Sequence, residues 1–192
     1  GAFAALLPDA PGELRALHQA DSLALDPHKW LYQPLEAGCA LVRDASLLRD
    51  TFTYHPPYYR FPVTEGEEPL NYYQYGPQNS RGFRALKVWL SLQQAGREGY
   101  QEMIAGDITL ARRLYQRVEA HAELQAYTQN LSIATFRYVP LDLQPFTVYP
   151  ETPNDPEIPL DPATEAALLK NQQVESYLNR LNSDLLARLQ TG

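Results

Sequence analysis

Ser22-Leu23-Ala24-Leu25-Asp26-Pro27-His28-Lys29-Trp30 sets a short apolar run against a proline turn and places a lysine directly behind it. Residues 22–25 read as a short buried strand. Asp26-Pro27 closes it, because proline has no N–H with which to extend a ladder. Open α/β sheets place ligands beyond the ends of their strands. A lysine at that place is expected to be partly desolvated, which favours the neutral amine able to attack an aldehyde. Beside it, His28 can donate to a phosphate and the Trp30 ring can wall off water. On pattern alone, a lysine behind a turn is more often a solvated surface group.

Outward from this stretch, Pro11 and Gly12 introduce a short helical segment reaching about Ala20, and Cys39 to Val42 reads as the next strand. Residues 45–51 suit a short helix. Between residues 53 and 80, five prolines separate six of the chain's 13 tyrosines, a long aromatic loop of the kind that usually carries function or moves. Phe83, Leu86, Lys87 and Leu90, with Trp89 and Leu92 beside them, follow a helical period that stops at Gly96, a natural left-handed C-terminal position. A second helix begins near Glu98, with Ile104, Ile108, Ala111, Tyr115 and Val118 on one face. Residues 124–127 and 132–139 alternate as strands and look like an antiparallel pair. Seven prolines lie from Pro140 to Pro162, a composition that favours extended, solvated backbone. Asp161 then offers an N-cap and Pro162 a first helical residue. The last helix carries Val174, Tyr177, Leu178, Leu181, Leu185 and Leu189 as its expected buried stripe. The order is mixed α/β, dividing near residue 97.

The chain has 192 residues, a net charge of −7 and 44% apolar content, enough for a packed core and against disorder as a description of the whole. Its three lysines, Lys29, Lys87 and Lys170, form no basic stripe, so neither nucleic acid nor a membrane surface is an expected partner. The single cysteine, Cys39, and four scattered histidines exclude a disulfide framework and give no metal-ligand spacing. No apolar run approaches the roughly 20 residues of a membrane span, and the start lacks the shape of a signal peptide. A cytoplasmic location is the resulting expectation, and the absent initiator methionine suggests an excerpt of a longer chain.

Ala20-Asp21-Ser22 followed by Asp26-Pro27-His28-Lys29-Trp30-Leu31 resembles the cofactor-lysine segment of the pyridoxal-phosphate-dependent amino acid decarboxylases, the group containing aromatic L-amino acid, histidine and glutamate decarboxylases. Ser80-Arg81-Gly82-Phe83-Arg84-Ala85-Leu86-Lys87-Val88-Trp89 and Gly96-Arg97-Glu98-Gly99 are similar to a helix and following turn of that family. Residues 131–138 resemble its later small-domain strand. The resemblance covers residues 1 to about 139 and the last helix, and leaves the proline-rich stretch poorly covered.

The resemblance implies part of a fold-type-I pyridoxal-phosphate enzyme, aspartate aminotransferase-like. Residues 1–97 would be the end of the large cofactor-binding domain, including the loop 53–80. Residues 98–192 would be most of the C-terminal small α+β domain, with the insertion 140–162. Lys29 would hold pyridoxal 5'-phosphate as a Schiff base, with His28 and Ser22 near its phosphate or ring. Asp26 stands where some relatives have asparagine and is not expected to be a ligand, since a carboxylate repels phosphate. The proton donor to the substrate carbon falls at Tyr72, with Tyr73 and Tyr75 within one or three residues and Tyr58 and Tyr59 in the same loop. Each of these rings could equally pack against a partner subunit. Arg81, Arg84 and Lys87 are expected in ion pairs or on the polar side of a helix.

The implied reaction is decarboxylation of an L-amino acid, aromatic by the Trp after Lys29 and the Phe-Arg-x-Leu-Lys helix, to the amine and carbon dioxide. The implied assembly is a homodimer with the site at its interface, and the pyridine-binding aspartate would lie upstream of Gly1. Rival expectations are a glutamate- or aspartate-type decarboxylase, an aldehyde-forming relative, and a non-catalytic homologue kept as a binding partner. A plain helical interaction module, built on the last helix and the proline-rich arm, is a further rival.

Overall fold

The computed structural model describes residues 1–54, 56, 58, 70–148 and 160–191. It divides into two compact units, Gly1–Ala105 and Gly106–Gly192.

In the first unit, a 3-10 turn over Ala2–Leu6 precedes helix α1 (Gly12–Arg15), which runs into a further 3-10 turn, Ala16–Gln19. Strand β1 (Ser22–Leu25) then pairs antiparallel with β2 (Cys39–Val42), Ser22 opposite Val42 and Leu25 opposite Cys39. The Arg43 N–H extends the ladder by donating to the Asp21 carbonyl at 2.8 Å. The expectation of a buried β1 is corrected here. Leu23 and Leu25 are half-buried while Ser22 and Ala24 are exposed. A two-stranded ladder covers one face at most, so period-two alternation buries only every other residue.

Helix α2 (Ala45–Phe52) begins where Asp44 accepts the Ser46 N–H at 2.9 Å, an N-cap that satisfies one orphan donor of the first turn. Helix α3 (Arg84–Glu119) is broken at Gly96, whose φ of 63° and ψ of −175° lie in a region that only glycine enters readily. The left-handed reading of that glycine therefore holds for φ but not for ψ, and the helix resumes beyond it. Among the described residues of the unit, Ala4, Ala10, Leu31, Ala37, Tyr100 and Ile104 are buried apolar side chains.

In the second unit, Ile108, Ala111 and Val118 are buried along α3 and Tyr115 is half-buried, following the predicted face. Strands β3 (Leu124–Asn130) and β4 (Ile133–Tyr138) pair antiparallel, with an irregularity between Ala126 and Thr128 that leaves Tyr127 as the extra residue. Helix α4 (Pro162–Thr191) opens on Asp161, whose Oδ1 accepts the Ala163 and Thr164 N–H groups at 3.0 and 3.1 Å. The Thr164 hydroxyl donates to the same side chain and holds its carboxyl below the ordinary aspartate value. No helix among the described residues is long and apolar enough to cross a membrane.

Helix α4 docks on β4 through polar groups around one buried leucine, Leu178. Asn182 accepts the Tyr138 N–H at 2.7 Å and returns a bond to the Tyr138 carbonyl at 2.9 Å, so its amide stands in for a neighbouring strand. Arg137 forks onto Glu175 at 2.5 and 2.9 Å. The predicted stripe is corrected at Tyr177, just before Leu178, and at Leu185 and Leu189 beyond it: all three are exposed, Leu189 at 81%. The residue of β4 that Asn182 grips is its last, and the helix runs on past it.

Candidate active site

Lys29 sits on a double turn directly behind β1. Its N–H donates to the Asp26 carbonyl at 2.9 Å, and its own carbonyl accepts the Tyr32 N–H at 3.0 Å. Both peptide groups of the lysine are thus fixed, leaving the side chain as its movable part. Tyr32, at a φ of 53°, ends this turn in the left-handed region. Trp30 is half-buried, as expected of a packing ring.

The Lys29 ammonium donates to Asp26 Oδ2 at 2.8 Å, and that hydrogen bond is the main reason the Asp26 carboxyl lies below the ordinary aspartate value. The expectation of a desolvated amine is corrected within this chain, because the Lys29 side chain is 68% exposed. The two-stranded ladder offers no wall on that side. Asp26, set aside by the sequence reading, is instead the group nearest the amine. An aspartate three residues before a lysine across a proline turn is the signal that could have found it.

His28 is anchored by Nδ1, 2.6 Å from the Ala37 carbonyl, with the Ala37 N–H a longer 3.3 Å away. Both contacts occupy Nδ1, so Nε2, 4.0 Å from Asp26 Oδ1, is the face left for a ligand. The structure brings Lys29, His28 and Asp26 together. It places Ser22 apart, exposed at the far end of β1 opposite Val42.

Tyr72 is likewise apart, with no hydrogen bond to Lys29. It heads a 3-10 turn, Tyr72–Tyr75, is 66% exposed, and its carbonyl accepts from Arg81 at 2.7 Å. Tyr73 and Tyr75 are half-buried, Tyr58 is exposed, and Tyr59 lies outside the described residues, as do residues 55, 57 and 60–69 of the same loop. Residues 149–159 of the proline-rich insertion lie outside them too.

The basic residues at the start of α3 serve the lysine loop. Arg84 pairs with Glu36, and Lys87 donates to the Pro34 carbonyl at 2.8 Å. Between that loop and the helix lies an open cleft of about 470 Å³, lined by Leu35, Phe83, Leu86 and Leu90 among others, and Lys29 does not line it. Deeper in, Gln33 is buried and bonded to the turn and to α3. This contact was invisible to sequence reasoning, since its partner Ser91 lies 58 residues away.

A primary amine on a fixed strand-end turn, with an imidazole and a carboxylate beside it, is a donor set chemically able to take a carbonyl compound on lysine. Residues 1–139 match the model described as the pyridoxal-dependent decarboxylase conserved domain, and the chain belongs to that family. It is 40% identical over 144 residues to the aromatic-L-amino-acid decarboxylase of Bacillus atrophaeus, covering 74% of this chain and 30% of that protein. It is 29% identical over 131 residues to the 3,4-dihydroxyphenylacetaldehyde synthase of Aedes aegypti, covering 68% of this chain and 25% of that protein. Among solved structures, Oryza sativa TDC with PLP and tryptamine superposes with a TM-score of 0.65 at 26% identity, over 71% of this chain and 28% of that one. The fold is accordingly part of a fold-type-I pyridoxal-phosphate enzyme, and the chain spans about 30% of the length of the relatives it matches. The cofactor of the family is pyridoxal phosphate, and an accessible amine beside a histidine and a carboxylate is chemically suited to it.

Proposed function

We propose that this chain carries the cofactor-binding lysine of a pyridoxal-phosphate-dependent carboxy-lyase that converts an aromatic L-amino acid to its amine and carbon dioxide. The observation that carries the proposal is Lys29 held at both peptide groups behind β1, in a segment matching aromatic amino acid decarboxylases. When bound, the cofactor supplies an aldehyde for the amine and a ring that takes up electron density as the carboxylate departs.

The chain's own residues do the rest. Lys29 binds covalently, and before it can do so its ammonium must leave Asp26 and lose a proton. Asp26 holds the amine in place until that pair opens. His28 presents Nε2 to anionic oxygen. Burial of the amine comes with the bound cofactor. A homodimer, implied by the family resemblance, and a cytoplasmic location, expected from the sequence, complete the proposal.

The test is borohydride reduction of the full-length protein with pyridoxal phosphate, followed by peptide mapping. The expected result is one stable pyridoxyl label, on Lys29. A label on any other lysine overturns the assignment.

A second reading is aldehyde formation, with molecular oxygen as oxidant and release of carbon dioxide, ammonia and hydrogen peroxide, favoured by the similarity to an insect aldehyde synthase. The two readings part at the proton donor, for which we propose Tyr72. Tyr72→Phe is expected to cut amine formation by about 10²–10⁴-fold, the usual worth of a positioned general acid, and to shift product toward aldehyde. Tyr73→Phe and Tyr75→Phe are expected to keep the amine as product. A wild-type enzyme releasing aldehyde would favour the second reading, and a Tyr72→Phe enzyme still making amine at full rate removes Tyr72 from the mechanism.

A further inference from the structure

The double turn that carries Lys29 is held on both sides by a single buried residue, through its backbone on one side and its side chain on the other. Gln33 is 5% exposed. Its backbone N–H donates to the Pro27 carbonyl at 3.2 Å, two residues before the lysine. Its side-chain Nε2 donates to the Leu31 carbonyl at 2.6 Å, two residues after the lysine. The other end of the amide, Oε1, accepts from the Ser91 hydroxyl of α3 at 3.1 Å, and that hydroxyl lies equally close to the Lys87 carbonyl. The Leu31 carbonyl receives a second donor, the hydroxyl of Tyr100, which is 3% exposed and also belongs to α3. Pro27 and Leu31 are themselves buried.

We propose that Gln33 is a positioning residue for Lys29, tying the lysine turn to α3 so that the amine reaches the cofactor aldehyde from a fixed Cα. The proposal rests on the reading of Lys29 as the cofactor-binding lysine. Its grounds are chemical. A buried amide costs free energy unless it is bonded, so an apolar side chain of equal volume would fill the space at least as well. The side-chain contacts terminate at residue +2 from Lys29 and on the helix behind it, and the backbone contact at residue −2. They constrain where the lysine backbone lies. Covalent capture is sensitive to such placement, since a misplacement of about 1 Å can cost about a hundredfold in rate.

The experiment uses the full-length protein in its cofactor-free form, wild type against Gln33→Met, which keeps volume and removes both side-chain bonds, and Ser91→Ala, which removes one. Three quantities are read: the rate of covalent pyridoxal phosphate capture, from visible absorbance and borohydride trapping; the affinity for pyridoxamine phosphate, which has the phosphate and ring but no aldehyde; and the thermal midpoint of the cofactor-free protein. Gln33→Met is expected to slow capture by about 10- to 100-fold, and Ser91→Ala by less, with pyridoxamine phosphate affinity unchanged. Capture at the wild-type rate in both variants overturns the proposal. So does an equal loss of capture, pyridoxamine phosphate affinity and thermal midpoint, which marks a merely structural glutamine. Should Gln33→Met fail to fold, Ser91→Ala decides by the same split. Wild-type protein labelled elsewhere than on Lys29 sinks the parent assignment, a failure seen before any variant is read.

Discussion

Lys29→Ala in the full-length protein is expected to abolish the borohydride-stable pyridoxyl label and to lower decarboxylase activity by several orders of magnitude, with the fold intact. The fold should survive because the Lys29 side chain is 68% exposed and its ion pair with Asp26 lies at the surface, where such pairs contribute little. Activity should not survive, because covalent attachment through an amine splits one difficult step into easier ones and nothing else on this turn is a primary amine. Lys29→Arg sharpens the test. It keeps a cation for Asp26 while a guanidinium remains protonated at any working pH and cannot attack the aldehyde. Both variants should therefore be equally inactive and melt close to the wild type. Substantial activity in Lys29→Arg would place the chemistry on another residue.

Glu175→Ala is expected to destabilise the docking of α4 on β4 by about 2–4 kcal/mol, somewhat less than removing one partner of a fully buried pair. The Arg137 and Glu175 side chains are 12% and 23% exposed, and their contact is a two-pronged fork. Arg137 would keep its bond to Gln125 Oε1 at 2.7 Å and its place over the Tyr127 ring at 5.5 Å, neither of which carries the full negative charge of the lost carboxylate.

The pair also sets an acid limit. Hydrogen bonding from Arg137 holds the Glu175 carboxyl below its ordinary value of 4.5. A carboxylate whose folded value is depressed stabilises fully above its unfolded value and loses that contribution as pH falls through the folded one. Protection factors for amide hydrogen exchange in β4 and α4 should therefore fall in wild type below about pH 4.5, and that fall should be shallower in Glu175→Ala. Exchange rates in these two elements identical to wild type would show that the fork contributes nothing to the docking.

Local chemistry made much of the fold legible in advance. The proline after Asp26, the Asp161–Pro162 start of α4, the glycine at 96 and the 3.6-residue spacing from Ile104 to Val118 each act within a few residues, so the sequence displays them directly. The lysine segment was legible for the same reason, as a contiguous run similar to one family. Burial was read less well. An apolar strand or helix stripe states what could be covered, and β1 and the end of α4 show that coverage depends on a neighbour that the spacing does not reveal.

By itself, then, the amino-acid order determined which residues turn, cap and alternate, and which amine follows the first strand. Only the tertiary structure decided that Asp26 holds that amine, that Gln33, Ser91 and Tyr100 meet around its turn, and that Arg137 finds Glu175. Three of these residues lie 38 to 69 positions from the group they bond, and hydrogen bonds between distant side chains obey geometry, leaving no period along the chain from which they could be read.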